Sequence, residues 1–495
     1  MPAVLPSSLA RLSPRTATVL VALLGVALRL TFLAKPMSSD EAGYLMVGGQ
    51  WAPGHSLYGD FWVDRPPLLV GLFQLAHVLG GPIALRILGI ACLLVTTAAA
   101  AGIGRLATDW RWAPPLVAAV PALLLSDTLY GSLNVDGELL AVPFLTVGLY
   151  AVLRGLAEPA RTWRRTGLWL AAGVLAAAGA AVKQNMVDVA VAAAIGVLWL
   201  AWRRRWALAV HDAVVFAAGA LAAGAAVVAW ADARGTRPGP LWDAVVTFRG
   251  AASRVISQEA SGDVRHQALL LLGSFVLSGG WGLGVLAAVA VARRLRTPLP
   301  TDPAPTPLGW IAVGVAAWET VGVVVGGSYW LHYLTGTVPG SVLLLAAVLR
   351  TGRVRLRWVL AVLGYVAATT LPATIITSQL VQAADDVQVA RYLRAHAHPG
   401  ETGVVAFGHT NVFEGTGLTV PYDNLWSLPV RVRDPHLVDF TRVLRQDRPT
   451  WLVVDGPRID TWAIDAHSAN AAIARDYRVV AQLGDWYVFR ARSVR

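Results

Sequence analysis

The apolar run TATVLVALLGVALRLTFLA at residues 16–34 is followed within a few residues by Ser39-Asp40-Glu41-Ala42-Gly43-Tyr44. A helix of about 20 apolar residues crosses a bilayer, so this run predicts a first membrane span. Charges this close to hydrocarbon are costly, so Asp40 and Glu41 are expected at the water boundary or in a protein-lined cavity. Such a carboxylate pair can accept a proton or hold a divalent cation, although two solvated loop acids would give the same pattern.

The composition predicts the broad class of the protein. Of the 495 residues, 56% are hydrophobic and 14% charged, and the mean hydropathy is +0.55. Globular domains contain nearer 25% charged residues. Apolar stretches of span length recur along the chain, which indicates a polytopic α-helical membrane protein.

The basic residues indicate topology. The net charge of +11 is distributed in short clusters between apolar runs, such as Arg203-Arg204-Arg205 and the arginines at 350–357. Cytoplasmic loops of membrane proteins collect Lys and Arg, so these clusters predict inner loops, a cytoplasmic N-terminus and no nucleic-acid partner. The protein is therefore expected in the plasma membrane.

About eleven transmembrane helices are predicted with the clusters inside. The segment 66–80 is apolar but short, and prolines and glycines bound it, so we interpret it as an interfacial or re-entrant helix. The predicted spans are 16–34, 82–104, 113–131, 138–156, 167–182, 186–202, 207–230, 267–292, 307–326, 334–350 and 358–378.

The C-terminal part has a different pattern. Short apolar runs bounded by turn residues alternate with helical patterns at 385–396 and 435–446, which predicts a small α/β domain. We therefore divide the chain into a membrane body at 1–378, with its first outer loop at 35–81, and an extracytoplasmic domain at 379–495. The predicted strands lie near 404–408, 451–455, 477–481 and 486–489.

The unusual polar residues fall on the predicted outer face. Carboxylates there can deprotonate a hydroxyl or bind a metal, and Arg or Lys can hold a phosphate through charge-assisted hydrogen bonds. The combination suits group transfer from a phosphate-bearing donor to a hydroxyl. These residues are Asp40, Glu41, Asp60, Asp64, Arg65, Asn134, Asp136, Glu138, Lys183, Gln184, Asn185, Tyr329, His332 and Tyr333.

Other interpretations of these residues remain open. Asp136 and Glu138 can cap the fourth span, since acids favour helix N-termini. Lys183 can be an interface anchor, and His332 can belong to an aromatic belt beside Tyr333. A transporter or flippase for a lipid-linked sugar is the alternative function, although transporters usually carry polar residues near mid-bilayer and internal repeats.

Three motifs carry a family resemblance. They are Ser39-Asp40-Glu41-Ala42-Gly43-Tyr44, the Gly-x-x-Leu-Tyr-x-Asp stretch at 54–60, and Asp64-Arg65-Pro66-Pro67-Leu68-Leu69. Together with His332-Tyr333 before Pro339, they resemble the GT-C membrane glycosyltransferases that use polyprenyl-phosphate sugars. Protein O-mannosyltransferases and lipid A aminoarabinose transferases are relatives in that group. The resemblance covers about 1–350 and implies inverting transfer of a hexosyl or pentosyl group outside the cytoplasm.

The resemblance also implies roles for the acids. Asp40 matches the first-loop carboxylate that acts as general base on the acceptor hydroxyl, and Glu41 matches the adjacent acid. Glu138 matches the second-loop acid, with Asp136 as competitor. Some relatives use a divalent cation and others do not, which leaves a Mg²⁺ or Mn²⁺ ion on Glu41 and Glu138 open.

The same resemblance implies which residues bind the donor phosphate and which line the substrate pocket. Arg65 stands where many relatives have Lys before Pro-Pro, and Lys183 resembles a Lys that follows the fifth span. With His332 and Tyr333 they form the expected binding set for the donor phosphate. The acceptor is a protein, a glycolipid or a polysaccharide. The further pocket residues are Tyr44, Tyr58, Asp64 and Asn134.

Overall fold

The chain is mostly helical, with one small sheet near its C-terminus. The computed structural model describes residues 12–58, 61–160, 162–259, 261–296, 306–382 and 384–492, so Asp60 of the first-loop motif lies outside the described residues. The helices are α1 Pro14–Leu30, α2 Ser39–Gln50, α3 Pro67–Val78, α4 Pro82–Ala107, α5 Ala113–Leu124, α6 Gly137–Ala157, α7 Trp163–Val182, α8 Asp188–Trp202, α9 Trp206–Ala233, α10 Pro238–Trp242, α11 Phe248–Glu259, α12 Ser261–Ser278, α13 Trp281–Arg296, α14 Leu308–Val325, α15 Val338–Thr351, α16 Leu356–Gln382, α17 Asp385–His396, α18 Ser427–Arg433, α19 Val438–Arg442 and α20 His467–Asp476.

The membrane helices confirm the predicted class. Within the described ranges, seven helices are long and apolar enough to cross a bilayer, and the bent pair α12–α13 makes an eighth. The other three predicted spans coincide with shorter helices: α1 with 17 residues, and the short apolar helices α5 and α8. The helix α3 has 12 residues and a length of about 18 Å. This is too short for a hydrocarbon core of about 30 Å.

The eighth predicted span differs from a single straight helix. Its two halves meet at an angle of 68°, with α12 ending at Ser278 and α13 beginning at Trp281. Gly279 between them has φ +77°, a left-handed conformation that glycine adopts without a steric penalty. The apolar run at 267–292 therefore contains a break that hydropathy alone does not reveal.

The described chain forms two compact units. The first unit contains residues up to Leu33, Arg86–Val227 and His266–Ile376. The second unit contains Ala34–Leu85, Val228–Arg265 and the segment from Thr377 onward. The second unit thus includes most of the predicted first outer loop, and the domain boundaries predicted from the sequence stay a prediction.

A four-stranded sheet lies in the second unit. The strands are β1 Gly403–Val405, β2 Trp451–Asp455, β3 Tyr477–Leu483 and β4 Trp486–Ala491, in the spatial order β1-β2-β4-β3. The pair β1–β2 is parallel, and β2–β4 and β3–β4 are antiparallel. Val404, Leu452 and Val488 are fully buried, so the sheet contributes the core of the predicted C-terminal α/β fold.

A buried carboxyl pair connects three helices of the first unit. Glu319 of α14 and Asp188 at the start of α8 are both buried and lie close enough to interact electrostatically. Glu319 Oε1 also accepts a hydrogen bond of 2.7 Å from the backbone N–H of Gly340 in α15. Glu319 thus has a backbone donor in α15 and an acidic neighbour in α8.

Candidate active site

Two acids of the first unit lie at the N-terminus of α6. Asp136 is the N-cap residue, and its Oδ1 accepts a hydrogen bond of 3.3 Å from the N–H of Leu139. Glu138 lies in the first turn, and both residues are 3% exposed. The capping interpretation of Asp136 is therefore observed. The positive end of the helix dipole stabilises both negative charges.

Lys183 reaches this helix start from the end of α7. It is the C-cap residue of α7, and its Nζ forms a buried ion pair with Glu138 Oε1. The same Nζ lies 4.8 Å from the centre of the Tyr333 ring. The ammonium is thus held by a carboxylate and an aromatic face, both of which stabilise a cation.

His332 lies between the two acids. It belongs to the 3₁₀ segment Leu331–Thr337, and its side chain is 15% exposed. Its Nδ1 is 3.7 Å from Asp136 Oδ2, and its Nε2 is 3.8 Å from Glu138 Oε1. The structure thus brings together five of the predicted site residues: Asp136, Glu138, Lys183, His332 and Tyr333.

Three members of this cluster could hold a metal ion. Asp136, Glu138 and His332 each offer one ligand atom, and these atoms lie within 4.8 Å of one another. Two carboxylates and an imidazole fit a transition metal such as Mn²⁺ better than Mg²⁺, which prefers oxygen ligands. The Lys183 ammonium competes for Glu138. We call Asp136, Glu138, Lys183 and His332 the acid–histidine cluster.

In the second unit, α2 carries Asp40 and Glu41 in different environments. Glu41 is fully buried, and its Oε2 accepts a hydrogen bond of 2.9 Å from the N–H of Ser38. The Ser38 hydroxyl accepts one of 3.3 Å from the N–H of Glu41, which completes a capping box. Asp40 is half-buried, and its Oδ1 accepts a hydrogen bond of 2.9 Å from Trp426 Nε1.

A second polar group of this unit surrounds Asp64. Arg65 Nη1 lies 2.7 Å from Asp64 Oδ2, and Arg249 of α11 forms an ion pair with the same oxygen. Tyr58 donates a hydrogen bond of 3.1 Å to the carbonyl of Arg65. Burial raises the pKa of Tyr58 well above its ordinary value, so its hydroxyl stays neutral.

Sequence reasoning missed Arg249 and Trp426. Both lie far along the chain from their partners, in segments without a recognised motif, and no local signal marks them. Of the predicted pocket residues, Tyr44 is buried against Phe73 and Trp426, and Asn134 is half-buried two residues before Asp136. Of the predicted metal pair, Glu138 belongs to the acid–histidine cluster, and Glu41 forms the capping box of α2.

Comparison with known proteins identifies the fold. No family model matches the chain, and no curated protein matches it. A crystal structure of ArnT from Cupriavidus metallidurans bound to undecaprenyl phosphate is similar, with a TM-score of 0.66 and 15% identity over 95% of this chain and 97% of that chain.

An oligosaccharyltransferase is also similar. The Archaeoglobus fulgidus enzyme in complex with Zn and sulfate matches with a TM-score of 0.53 and 12% identity over 89% of this chain and 68% of that one. The chain therefore has the fold of the GT-C membrane glycosyltransferases, as its motifs predicted.

Proposed function

We propose that the protein transfers a sugar from a polyprenyl-phosphate donor to a hydroxyl acceptor on the extracytoplasmic face of the plasma membrane. The observation that carries the proposal is the structural similarity, over 95% of the chain, to ArnT bound to undecaprenyl phosphate. The charged groups described above supply a base and several cations, which this reaction requires.

Asp40 is the general base in this proposal. Its carboxylate takes the proton of the acceptor hydroxyl while the acceptor oxygen bonds to the anomeric carbon of the sugar. The bond from that carbon to the phosphate oxygen breaks, and its electron pair leaves with polyprenyl phosphate, which inverts the anomeric centre. Glu41 suits this role less well, because it is fully buried and its carboxylate caps α2.

Cations stabilise the departing phosphate. Polyprenyl phosphate is a good leaving group, so it needs charge stabilisation more than protonation. Arg65 of the second unit is the proposed contact, and we add its neighbour Arg249. Lys183 and His332 of the first unit stay predictions from the sequence. Arg65 and Arg249 both contact the carboxylate of Asp64, and guanidinium groups can hold a phosphate through charge-assisted hydrogen bonds.

A divalent cation is compatible with the acid–histidine cluster. Asp136, Glu138 and His332 would hold it, and it would neutralise phosphate charge. Without the ion, the Lys183 ammonium balances one of the two carboxylates. The assay below therefore includes a chelator.

The basic clusters and several exposed tryptophans support an orientation in the membrane. Indole rings concentrate at membrane interfaces, and cytoplasmic loops collect arginine. Five tryptophans of the first unit, at least 51% exposed, lie at or near helix ends that the arginine clusters assign to the cytoplasm. We therefore propose a cytoplasmic N-terminus and an extracytoplasmic C-terminal domain. The tryptophans are Trp163, Trp202, Trp206, Trp310 and Trp358.

The test is turnover by purified protein of radiolabelled polyprenyl-phosphate sugars, followed as release of free polyprenyl phosphate. We expect Asp40→Asn to lower the rate by about 10²- to 10⁴-fold, the usual contribution of a general base. Each variant is assayed with and without chelator.

The matched control is Asp109→Asn, the same chemical change at an exposed acid of the first unit. Full turnover by Asp40→Asn would remove Asp40 as the base. Binding of every donor in the panel with consumption of none would favour the transporter alternative, which lipid flipping in vesicles then tests.

A further inference from the structure

Trp426 holds the carboxylate of Asp40 within the second unit. Its indole N–H donates to Asp40 Oδ1 at 2.9 Å, and its ring lies 5.0 Å from the ring of Tyr44 on the same helix. Gly43 lies against this indole, since a Cβ there would stand 2.6 Å from Trp426 Cζ2. Both the ring and the N–H of Trp426 are therefore engaged by α2.

The loop that follows β1 holds the residue before Asp40. The N–H of His409 donates to Ser39 Oγ at 2.9 Å, and Thr410 Oγ1 donates to the carbonyl of Ser39 at 2.8 Å. The backbone at Phe407 and His409 has φ +61° and +58°, which costs energy in residues with a side chain. Such strain persists where surrounding contacts determine the conformation.

An indole is well suited to orient a base. Its N–H donates a hydrogen bond and cannot accept a proton, so Trp426 fixes Oδ1 without competing for the proton that Asp40 takes. The other oxygen of Asp40, Oδ2, takes no part in this hydrogen bond, so we assign it the proton transfer. The ring also packs against Tyr44 and Gly43, which restricts its rotation and so fixes the direction of the N–H.

We propose that Trp426 is a positioning residue for Asp40, so that the C-terminal segment completes the catalytic base of the first-loop helix. The inference rests on the proposed function, because it assigns Asp40 the role of base. The loop at 407–410 secures the same helix start through Ser39.

The experiment compares Trp426→Phe with Trp451→Phe in the release assay. The first substitution removes the N–H bonded to Asp40 and retains an aromatic ring. The control removes an indole N–H that donates at 2.7 Å to another carboxylate of the same unit, Glu401. We expect Trp426→Phe to lower kcat about ten- to hundredfold with little change in the KM for the donor, the size expected for a lost hydrogen bond to a charged group. Trp451→Phe should retain kcat.

A second variant covers the case in which Trp426→Phe does not fold. Gly43→Ala places a methyl group against the indole while favouring the helix, since alanine is the better helix former. The indole must shift to admit the methyl group, so we expect a reduced kcat, with a fall in melting temperature that the gain in helix propensity partly offsets.

The outcomes separate the two proposals. An inactive Asp40→Asn beside a fully active Trp426→Phe would overturn the positioning role and leave the proposed function standing. Equal losses of kcat in Trp426→Phe and Trp451→Phe, each with a lower melting temperature, would reduce Trp426 to a structural role. A fully active Asp40→Asn would overturn the base itself.

Discussion

The acid–histidine cluster of the first unit and Asp40 of the second unit differ in how their carboxylates are stabilised. Glu138 is buried and balanced by a full charge, the ammonium of Lys183. Asp40 is half-buried and receives a neutral indole N–H. A buried charge is costly unless it is paired or hydrogen-bonded, whereas a half-buried carboxylate can be oriented by a neutral donor. The first arrangement favours holding ions, and the second leaves a carboxylate able to gain and lose a proton.

The largest expected effect comes from breaking the buried ion pair. We expect Lys183→Met to cost about 3–5 kcal/mol of stability, because it leaves Glu138 buried without its cation. The double variant Glu138→Gln/Lys183→Met should recover much of that stability but not the activity. Thermal unfolding in detergent measures both.

The matched change in the second unit is Arg249→Gln. Arg249 is 38% exposed and shares Asp64 with Arg65, so we expect a loss below about 1 kcal/mol. Equal destabilisation by Lys183→Met and Arg249→Gln would contradict the contrast between the two units.

Metal binding sharpens the same comparison. We expect Mn²⁺ to raise the melting temperature, because an ion that binds the folded state stabilises it by mass action. His332→Ala should abolish the rise, and Lys183→Met should increase the affinity for the ion by removing a competitor for Glu138. A rise that persists in His332→Ala would place the ion outside the acid–histidine cluster.

The loop that supports Asp40 should respond to pH. Burial lowers the pKa of His409, although Asp455 and Asp386 oppose the shift. The unfolded chain therefore binds this proton more readily, so stability should fall as the pH drops below about 6.5 and through the lower folded pKa. We expect His409→Gln to flatten this part of the curve of melting temperature against pH. An unchanged curve would show that another group titrates there.

An effect as small as that of Arg249→Gln is expected at Glu41. Glu41→Gln retains a side chain that can accept the hydrogen bond from Ser38, so we expect a loss of at most about 1 kcal/mol and nearly full turnover. A loss of turnover comparable to that of Asp40→Asn would show that the two neighbouring acids share one role.

Local sequence signals predicted much of this structure. Hydropathy and arginine clusters located the membrane helices, and short runs such as Trp451–Asp455 located the strands. The cluster residues could be selected because Asp136, Lys183 and His332 each lie at or near a helix end between apolar runs. Polar residues at the ends of membrane spans can be recognised from the sequence alone.

In the second unit, the residues that bond to Asp40 and Asp64 could not be recognised from the sequence. Trp426 bonds to a residue 386 positions earlier, and Arg249 to one 185 positions earlier. Pairs so distant depend on how the chain folds back, and neither residue type carries a local motif. The capping box of Glu41 is local, but the resemblance gave that acid a chemical role, so its structural role was overlooked. The break at Gly279 was missed because a single glycine barely changes mean hydropathy.

The carboxyl pair of Glu319 and Asp188 has a consequence for biosynthesis. Membrane helices are inserted in the order in which they are synthesised, so α8 with Asp188 enters the bilayer before α14 with Glu319. Inserting an acidic side chain at the centre of a membrane helix costs about 3 kcal/mol, which the apolar remainder of α14 must offset. Asp188 is then already in place as an acidic neighbour, and the N–H of Gly340 follows with α15. The nascent chain thus gains the hydrogen bond to Glu319 only when α15 follows, so α14 must insert before its acid has that donor.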